Sequence, residues 1–317
     1  MAQTVSLGKT GLTVSALGLG TWQWGDTSMW QYGQGYSQSD VEAAYRNSRE
    51  AGITFFDTAE IYGRGASEQI LGPLVLPERS AVTIASKFAP WPYRLTPRSL
   101  EKALDASLKR LKLVQIDLYQ VHWPHGRMMS IDTLMNAMAD QVESGKIRAV
   151  GVSNFSAKQM EQARATLAKR GLPLASNQVQ YSLLHRAPEE NGVLQAGRDL
   201  DVRLIAYSPL AKGVLTGKYH AENIKVTGQR KRFVKAFKPA ALQASAPLID
   251  LLGKIGAARG DKTPSQVALN WLMRQGALPI PGAKNANQAK SNAGALGWEL
   301  TDEEVEEISA LARKINF

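Results

Sequence analysis

Val82-Thr83-Ile84-Ala85-Ser86-Lys87 is an apolar, β-branched run that ends in a cation. Phe55-Phe56-Asp57 and Ile116-Asp117-Leu118-Tyr119-Gln120-Val121-His122 have the same form, a short apolar stretch delivering an ionisable side chain at its C-terminal end. Runs of this kind read as strands buried on both faces, the mark of a parallel sheet. Outward from them the pattern alternates. Strands are predicted near 16–20, 53–57, 82–86, 116–122, 147–152, 175–179, 203–207 and 278–280. Helical patterns fall near 39–51, 66–73, 97–111, 131–144, 157–170, 189–199, 264–275 and 286–294. Eight strands with interleaved helices predict an α/β fold, the (β/α)8 TIM barrel, which gathers its chemistry at the C-terminal strand ends.

Thr4-Val5-Ser6-Leu7 and Leu12-Thr13-Val14-Ser15 flank a Gly8-Lys9-Thr10-Gly11 turn and predict an N-terminal β-hairpin closing the bottom of the barrel. Extra helices are expected over 240–259 and from Thr301 near the C-terminus. Ser39-Asp40, Thr96-Pro97, Ser130 and Thr263-Pro264 mark helix starts. Two segments exceed the repeat: an aromatic, Gly-rich loop at 24–36 and a basic loop at 208–239. Loops of this length in a compact fold are usually functional or disordered. With no linker or low-complexity tract, residues 1–317 read as a single domain.

Hydrophobic content of 44% and charged content of 21% are ordinary for a globular protein. The absence of cysteine excludes disulfides, thiolate metal sites and a cysteine nucleophile. The histidines His122, His125, His185 and His220 form no His-x-His pair at a strand end, so no metal site is expected and a metal-dependent hydrolase is disfavoured. The net charge is +10, and the densest basic cluster is Gln229-Arg230-Lys231-Arg232-Phe233-Val234-Lys235. Nucleic acid, an acidic membrane surface or an anionic ligand such as a phosphorylated cofactor could each explain the excess, but no nucleic-acid-binding motif accompanies the cluster, so no nucleic acid partner is expected. No apolar run reaches the roughly 20 residues of a membrane span. The N-terminus has no signal-peptide pattern, and a cytoplasmic location is expected.

The side chains at the ends of the second to fourth strands suit one reaction type. Lys87, desolvated at a strand end, needs an anionic partner, and Asp57 occupies the neighbouring strand end. A lysine charge beside Tyr62 is expected to lower the phenol pKa, making Tyr62 a general acid toward a developing alkoxide. His122 supplies a second hydrogen bond to that oxygen. Trp22, Trp24, Trp30, Phe88, Trp91 and Trp123 all follow strand ends and predict an aromatic substrate wall.

Five motifs carry a resemblance: Leu17-Gly18-Leu19-Gly20-Thr21-Trp22, Phe56-Asp57-Thr58-Ala59-Glu60-Ile61-Tyr62-Gly63, Gly151-Val152-Ser153-Asn154-Phe155, Asn177-Gln178-Val179-Gln180-Tyr181-Ser182 and Ile280-Pro281-Gly282-Ala283. From Leu12 to about Trp298 the chain resembles the aldo-keto reductase superfamily, and its aromatic loop is most similar to the cyanobacterial and plastid branch. The resemblance implies a catalytic tetrad of Asp57, Tyr62, Lys87 and His122. It also implies NADPH/NADP+ bound in extended form across the barrel mouth, without a Rossmann fold; no strand here is followed by G-x-G-x-x-G. Gly20, Thr21, Trp22 and Asp57 are then expected at the cofactor. Ser153, Asn154 and Gln178 would hold the nicotinamide carboxamide, and Tyr207 would stack on its ring. Ser208, Leu210, Gly213 and Lys218 would line the pyrophosphate. Ile280, Gly282 and Ala283 lead to Lys284 at the 2′-phosphate, with Gln288 and Asn292 on the adenine side and Arg232 folding over the phosphates. The chain departs from the common pattern at Gln288 and Ser291, where relatives often carry an arginine and an acid. The activity implied is reduction of a small carbonyl substrate. The alternative is a redox-sensing NADP(H)-binding regulatory module, as in the β subunits of potassium channels; a protein partner is not expected on the first reading.

Overall fold

The computed structural model describes residues 3–124, 129–222, 224 and 234–315. Strands β1 (Thr4–Ser6) and β2 (Thr13–Ser15) pair antiparallel as the predicted hairpin. The barrel strands are β3 (Leu19–Gly20), β4 (Phe55–Asp57), β5 (Thr83–Phe88), β6 (Ile116–Val121), β7 (Ile147–Ser153), β8 (Leu174–Gln180), β9 (Arg203–Tyr207) and β10 (Leu278–Pro279). They lie side by side in chain order in one eight-stranded parallel sheet. Hydrogen bonds from Gly18 N to the Pro279 carbonyl (3.0 Å) and from Gly20 N to the Pro281 carbonyl (3.1 Å) join the first strand to the last and close the barrel. Gly20 tolerates no side chain at this seam, because a Cβ would lie 2.9 Å from the Ile280 carbonyl oxygen.

The helices are α1 (Gln38–Glu50), α2 (Ala66–Val75), α3 (Pro97–Leu111), α4 (Ile131–Glu143), α5 (Ala157–Ala168), α6 (Ala187–Glu190), α7 (Val193–Asp199), α8 (Pro239–Ala258), α9 (Pro264–Arg274), α10 (Ala286–Ala293) and α11 (Asp302–Ala312). Ser130, Thr263 and Thr301 cap their helices as side-chain acceptors, satisfying backbone N–H groups of the first turn. The first helix starts at Gln38, one residue before the predicted Ser39-Asp40 signal, because Ser37 is its cap and forms a capping box with Asp40. The single helix expected over 189–199 is two. Gly192 adopts φ +79°, a left-handed value that breaks the α-helical path between α6 and α7.

Two apolar cores result from the alternation of strand side chains. Inside the barrel, Phe55, Ala85, Leu118, Ala149, Ala175, Ile205, Leu278 and Ile280 pack together with Leu7, Leu12 and Val14. The hairpin therefore plugs the N-terminal end of the barrel. The larger core lies between sheet and helices, where the alternate residues Phe56, Ile84, Tyr119, Val150 and Val152 meet helical residues such as Leu71, Leu100, Met138 and Leu167. With one end plugged and the flanks covered, the C-terminal mouth is the face left for a site. Among the described residues no helix is long and apolar enough to cross a membrane.

Candidate active site

A cavity of about 760 Å³ opens at the C-terminal mouth, and its walls come from the ends of every barrel strand except β5 and from the loops that follow them, with β8 contributing only Gln178. At its floor, β4, β5 and β6 bring Asp57, Tyr62, Lys87 and His122 together. Asp57 ends β4, and the chain then turns through a short 3-10 segment, Tyr62–Gly65, that places Tyr62 over the barrel. Lys87 and Asp57 are both buried and form an ion pair through Nζ and Oδ1. Lys87 Nζ also donates to the Thr58 carbonyl (2.9 Å) and to the Tyr62 hydroxyl oxygen (3.2 Å). An ammonium has three hydrogens and no acceptor. All three are thus committed, and Tyr62 is the acceptor in its contact with Lys87. Its own phenolic hydrogen remains to be donated elsewhere.

Burial, and then the negative charge of Asp57, hold the Tyr62 phenol well above its ordinary pKa. This is the opposite of the lowering expected from sequence. The Lys87 charge is matched by Asp57, and desolvation penalises tyrosinate more than the paired lysine favours it. Burial also pushes Lys87 down, with Asp57 opposing. His122 is lowered well below the ordinary imidazole value by burial and then by Lys87. At neutral pH the floor therefore carries a neutral phenol and a neutral imidazole over a paired cation. The Tyr62 and His122 rings meet edge to face at 5.9 Å.

Asp57 is held from the other side as well. Its Oδ2 accepts from Gln178 Nε2 (2.8 Å) and from Gln120 Nε2 (3.1 Å). Ser153, at the end of β7, donates through Oγ to the Gln178 carbonyl (2.8 Å). Asn154 sits at φ +61° and donates through Nδ2 to the His122 carbonyl (3.0 Å) and Ser153 Oγ (3.0 Å). Tyr207 Oη donates to Asn154 Oδ1 (3.1 Å). Neither Ser153 nor Asn154 caps a helix; Ser156 does that for α5.

Gly20, Trp22, Asp57, Ser153, Asn154, Gln178, Tyr207, Ser208, Leu210, Gly213, Lys218, Ile280, Gly282, Lys284, Gln288 and Asn292 all line the cavity. Lys284 Nζ donates to the Trp30 carbonyl (2.9 Å) and lies 4.4 Å from the centre of the Tyr36 ring. Gln288 Oε1 accepts from the Lys284 backbone N (2.9 Å), and Asn292 Nδ2 donates to the Gly282 carbonyl (3.2 Å). These side chains brace the 282–284 backbone where it enters α10. Thr21 and Ala283 do not line the cavity. Thr21 is buried against Ser67 (2.7 Å) and the Asp57 carbonyl (3.0 Å), and the Ala283 carbonyl accepts from Trp24 Nε1 (2.9 Å). Arg232 lies outside the described residues.

Of the six aromatic residues expected to form a substrate wall, Trp22, Trp30 and Trp123 line the cavity. Trp22 stacks over Tyr62 (6.0 Å, 27°) and meets Trp30 edge to face (5.7 Å). Trp24 and Phe88 are instead fully buried in the core between sheet and helices. Phe88 follows Lys87 on β5 and so faces the opposite way, and Trp24 parts from Trp22 because the chain turns there, with Trp24 N donating to the Thr21 carbonyl (2.9 Å). Trp91 sits outside the cavity at the rim, 39% exposed, with its ring against Trp123 at 5.3 Å. The 24–36 loop owes its shape to a residue the sequence reading passed over. Asp26 is buried, and its Oδ1 accepts from the backbone N of Ser28 (2.9 Å) and Met29 (2.8 Å). Lys212, Thr263 and Ser265 also line the cavity unannounced by any motif. Lys212 has φ +56°, and its Nζ lies 5.8 Å from the centre of the Trp22 ring. Thr263 is legible only as a helix cap until the packing brings the start of α9 to the mouth.

The fold and this floor define a barrel oxidoreductase. Residues 16–313 match the aldo/keto reductase family, and the chain belongs to it. It is 37% identical to the chloroplastic pyridoxal reductase of Arabidopsis thaliana, over 98% of this chain and 86% of that protein. It is 34% identical to the aldo-keto reductase yakc [NADP(+)] of Schizosaccharomyces pombe, over 86% of this chain and 82% of that one. Among solved structures, the glycerol dehydrogenase AKR11B4 from Gluconobacter oxydans superposes with a TM-score of 0.85 at 27% identity, covering 98% of this chain and 95% of that chain.

Proposed function

We propose that the protein reduces aldehydes and ketones to alcohols with NADPH, with Tyr62 as the general acid. One observation carries the reading: Lys87 donates to Tyr62, so the phenolic hydrogen is left for a ligand at the cavity floor. A bound nicotinamide cofactor would supply the hydride for the carbonyl carbon. The chain's own residues do the rest. Tyr62 gives its proton to the carbonyl oxygen as negative charge develops there, and Lys87, locked by Asp57 and the Thr58 carbonyl, stabilises the phenolate left behind. Neutral His122, beside Tyr62, donates a hydrogen bond that orients the same oxygen.

The cavity suits a dinucleotide together with a small carbonyl compound, since its 760 Å³ is in the upper range for ligand sites. Ser153, Asn154 and Gln178 offer amide and hydroxyl groups for a carboxamide near the floor. Ser208, Gly213 and Lys218 offer a hydroxyl, an open backbone and a cation further out, the donor set a pyrophosphate needs. Lys284 supplies the cation for a 2′-phosphate and so favours NADPH over NADH; the fission-yeast relative carries NADP(+) in its name. The aromatic wall of Trp22, Trp30 and Trp123 favours planar, apolar aldehydes, and the plant relative is named for pyridoxal.

The test is oxidation of NADPH and of NADH by purified protein with methylglyoxal, a nitrobenzaldehyde and pyridoxal. NADPH-preferring turnover that disappears in Tyr62→Phe is the expected result. Failure to bind either nucleotide would overturn the proposal.

A further inference from the structure

Gln120 belongs to no motif that carried the family resemblance, yet it occupies the middle of the barrel interior. Its Cα pairs in register with that of Lys87 on β5, and its side chain is wholly buried. It does not line the cavity, so it touches neither substrate nor cofactor. Two hydrogen bonds define its place. Its Nε2 donates to Asp57 Oδ2 (3.1 Å), and its Oε1 accepts from Gln178 Nε2 (3.4 Å). The amide orientation follows from chemistry, because an ionised carboxylate only accepts. The same rule orients Gln178. Both of its Nε2 contacts are donated, to Asp57 and to Gln120, which leaves Gln178 Oε1 as its acceptor for a ligand.

The neighbouring strand makes room for this arrangement. Gly151 on β7 is in register with Gln120, and a Cβ there would lie 2.8 Å from Gln120 Cγ and 2.6 Å from Ser176 Oγ. Any larger residue would push the Gln120 side chain out of line. Asp57, Gln120 and Gln178 come from β4, β6 and β8, alternate strands that contribute to one interior layer of such a barrel. In most barrels such layers are apolar. A buried polar layer is costly unless every member is satisfied, so its presence calls for a role.

We infer that Gln120 is a positioning residue that ties Asp57 to Gln178, so that the proton-donating floor and the amide that faces the nicotinamide are held as one unit. The inference rests on the proposed use of a nicotinamide cofactor. Lacking Gln120, the Asp57 carboxylate retains Lys87 and Gln178, and Gln178 Nε2 keeps its bond to Asp57 but loses its second contact.

The experiment compares wild type, Gln120→Met, Gln178→Met and the double variant. Methionine keeps the length of glutamine and removes its donor. Titration with NADPH and with 2′-phospho-ADP-ribose, which lacks the nicotinamide, reads the site without turnover. Gln120→Met is expected to weaken NADPH about tenfold and to leave the fragment unchanged. In the Gln178→Met background it is expected to have no further effect. Single-turnover reduction should slow about tenfold with the aldehyde KM unchanged. Equal weakening of NADPH and the fragment would show a general structural role and overturn the inference, as would independent, multiplicative effects in the double variant. If Gln120→Met does not fold, Gly151→Ala displaces the same side chain and is expected to show the same pattern. If wild type binds neither nucleotide, the proposed function fails, and cofactor-free protein still decides whether Gln120 ties Asp57 to Gln178. Denaturation of the four proteins should show non-additive losses for Gln120 and Gln178, and additive losses would refute the pairing.

Discussion

Lys87 Nζ lies 3.2 Å from the Tyr62 hydroxyl oxygen and is the donor in that contact. The remaining ammonium hydrogens go to Asp57 and to the Thr58 carbonyl. With Lys87 the donor in this contact, the phenol's own hydrogen is not engaged by Lys87.

Replacing Tyr62 by phenylalanine removes the proton without disturbing the aromatic stack on Trp22. Single-turnover carbonyl reduction should fall by about 10²–10⁴-fold, the usual contribution of a positioned general acid. NADPH affinity, read by fluorescence titration, should stay within about twofold, because the phenol hydroxyl is not part of the proposed cofactor contacts. Loss of both in parallel would remove Tyr62 from the acid's role.

The pH dependence follows from the directions of the shifts. Tyr62 is held above its ordinary value of 10.0, so it stays protonated throughout the neutral and mildly alkaline range. Single-turnover reduction is therefore expected to be flat from about pH 7 to 9 and to decline only above the ordinary phenol range. An activity limb near neutrality would assign the proton to another group.

His122 contributes to stability rather than to that limb. Its folded pKa is depressed below 6.5, so the unfolded chain binds the proton more readily. The stability it supports is present above pH 6.5 and is lost as pH falls from there through the depressed folded value. Melting temperature measured against pH should fall less steeply below pH 6.5 in His122→Asn than in wild type. Equal slopes would place the acid sensitivity elsewhere.

Lys87→Met leaves the buried Asp57 carboxylate without its cation. Removing one partner of a buried ion pair typically costs about 3–5 kcal/mol. Urea denaturation should show a loss of that order, with much of it recovered in the double variant Asp57→Asn/Lys87→Met. A Lys87→Met protein as stable as wild type would mean that the pair is not formed in solution.

Trp24 and Trp123 separate core from wall. Trp24→Phe loses the hydrogen bond to the Ala283 carbonyl and some buried volume. It should cost about 1–3 kcal/mol in denaturation and leave the aldehyde KM alone. Trp123→Phe, on the cavity wall, should shift the KM for aromatic aldehydes with little effect on stability. The reverse pattern would reinstate Trp24 as a substrate contact.

Lys284→Ala should weaken NADPH by about tenfold and NADH much less, as measured by equilibrium titration. Lys284 Nζ donates to the Trp30 carbonyl, so the same change also loosens the aromatic loop. Trp30→Phe, which keeps that carbonyl, serves as the control. Equal weakening of the two cofactors by Lys284→Ala would place the 2′-phosphate elsewhere.

The amino-acid sequence by itself determined the architecture and the floor of the site. Strands buried on both faces of a parallel sheet are near-continuously apolar, so their short runs and ionisable ends are local signals; Asp57, Lys87 and His122 each lie at the end of such a run of strand length. The hairpin and the caps at Ser130, Thr263 and Thr301 are legible for the same reason, since their chemistry lies within a few residues. What only the tertiary structure decided depends on which way a side chain turns and what lies across the barrel. Trp24 goes to the core and Trp22, two residues earlier, to the cavity, because the chain turns between them. The Tyr62 phenol is raised rather than lowered, because desolvation depends on what surrounds the group in the folded barrel. Gln120 reads as one polar residue in a strand until the barrel brings β4 and β8 to it across the interior; its partners Asp57 and Gln178 are 63 and 58 positions away. Contacts across that distance are set by barrel closure, which no local pattern encodes.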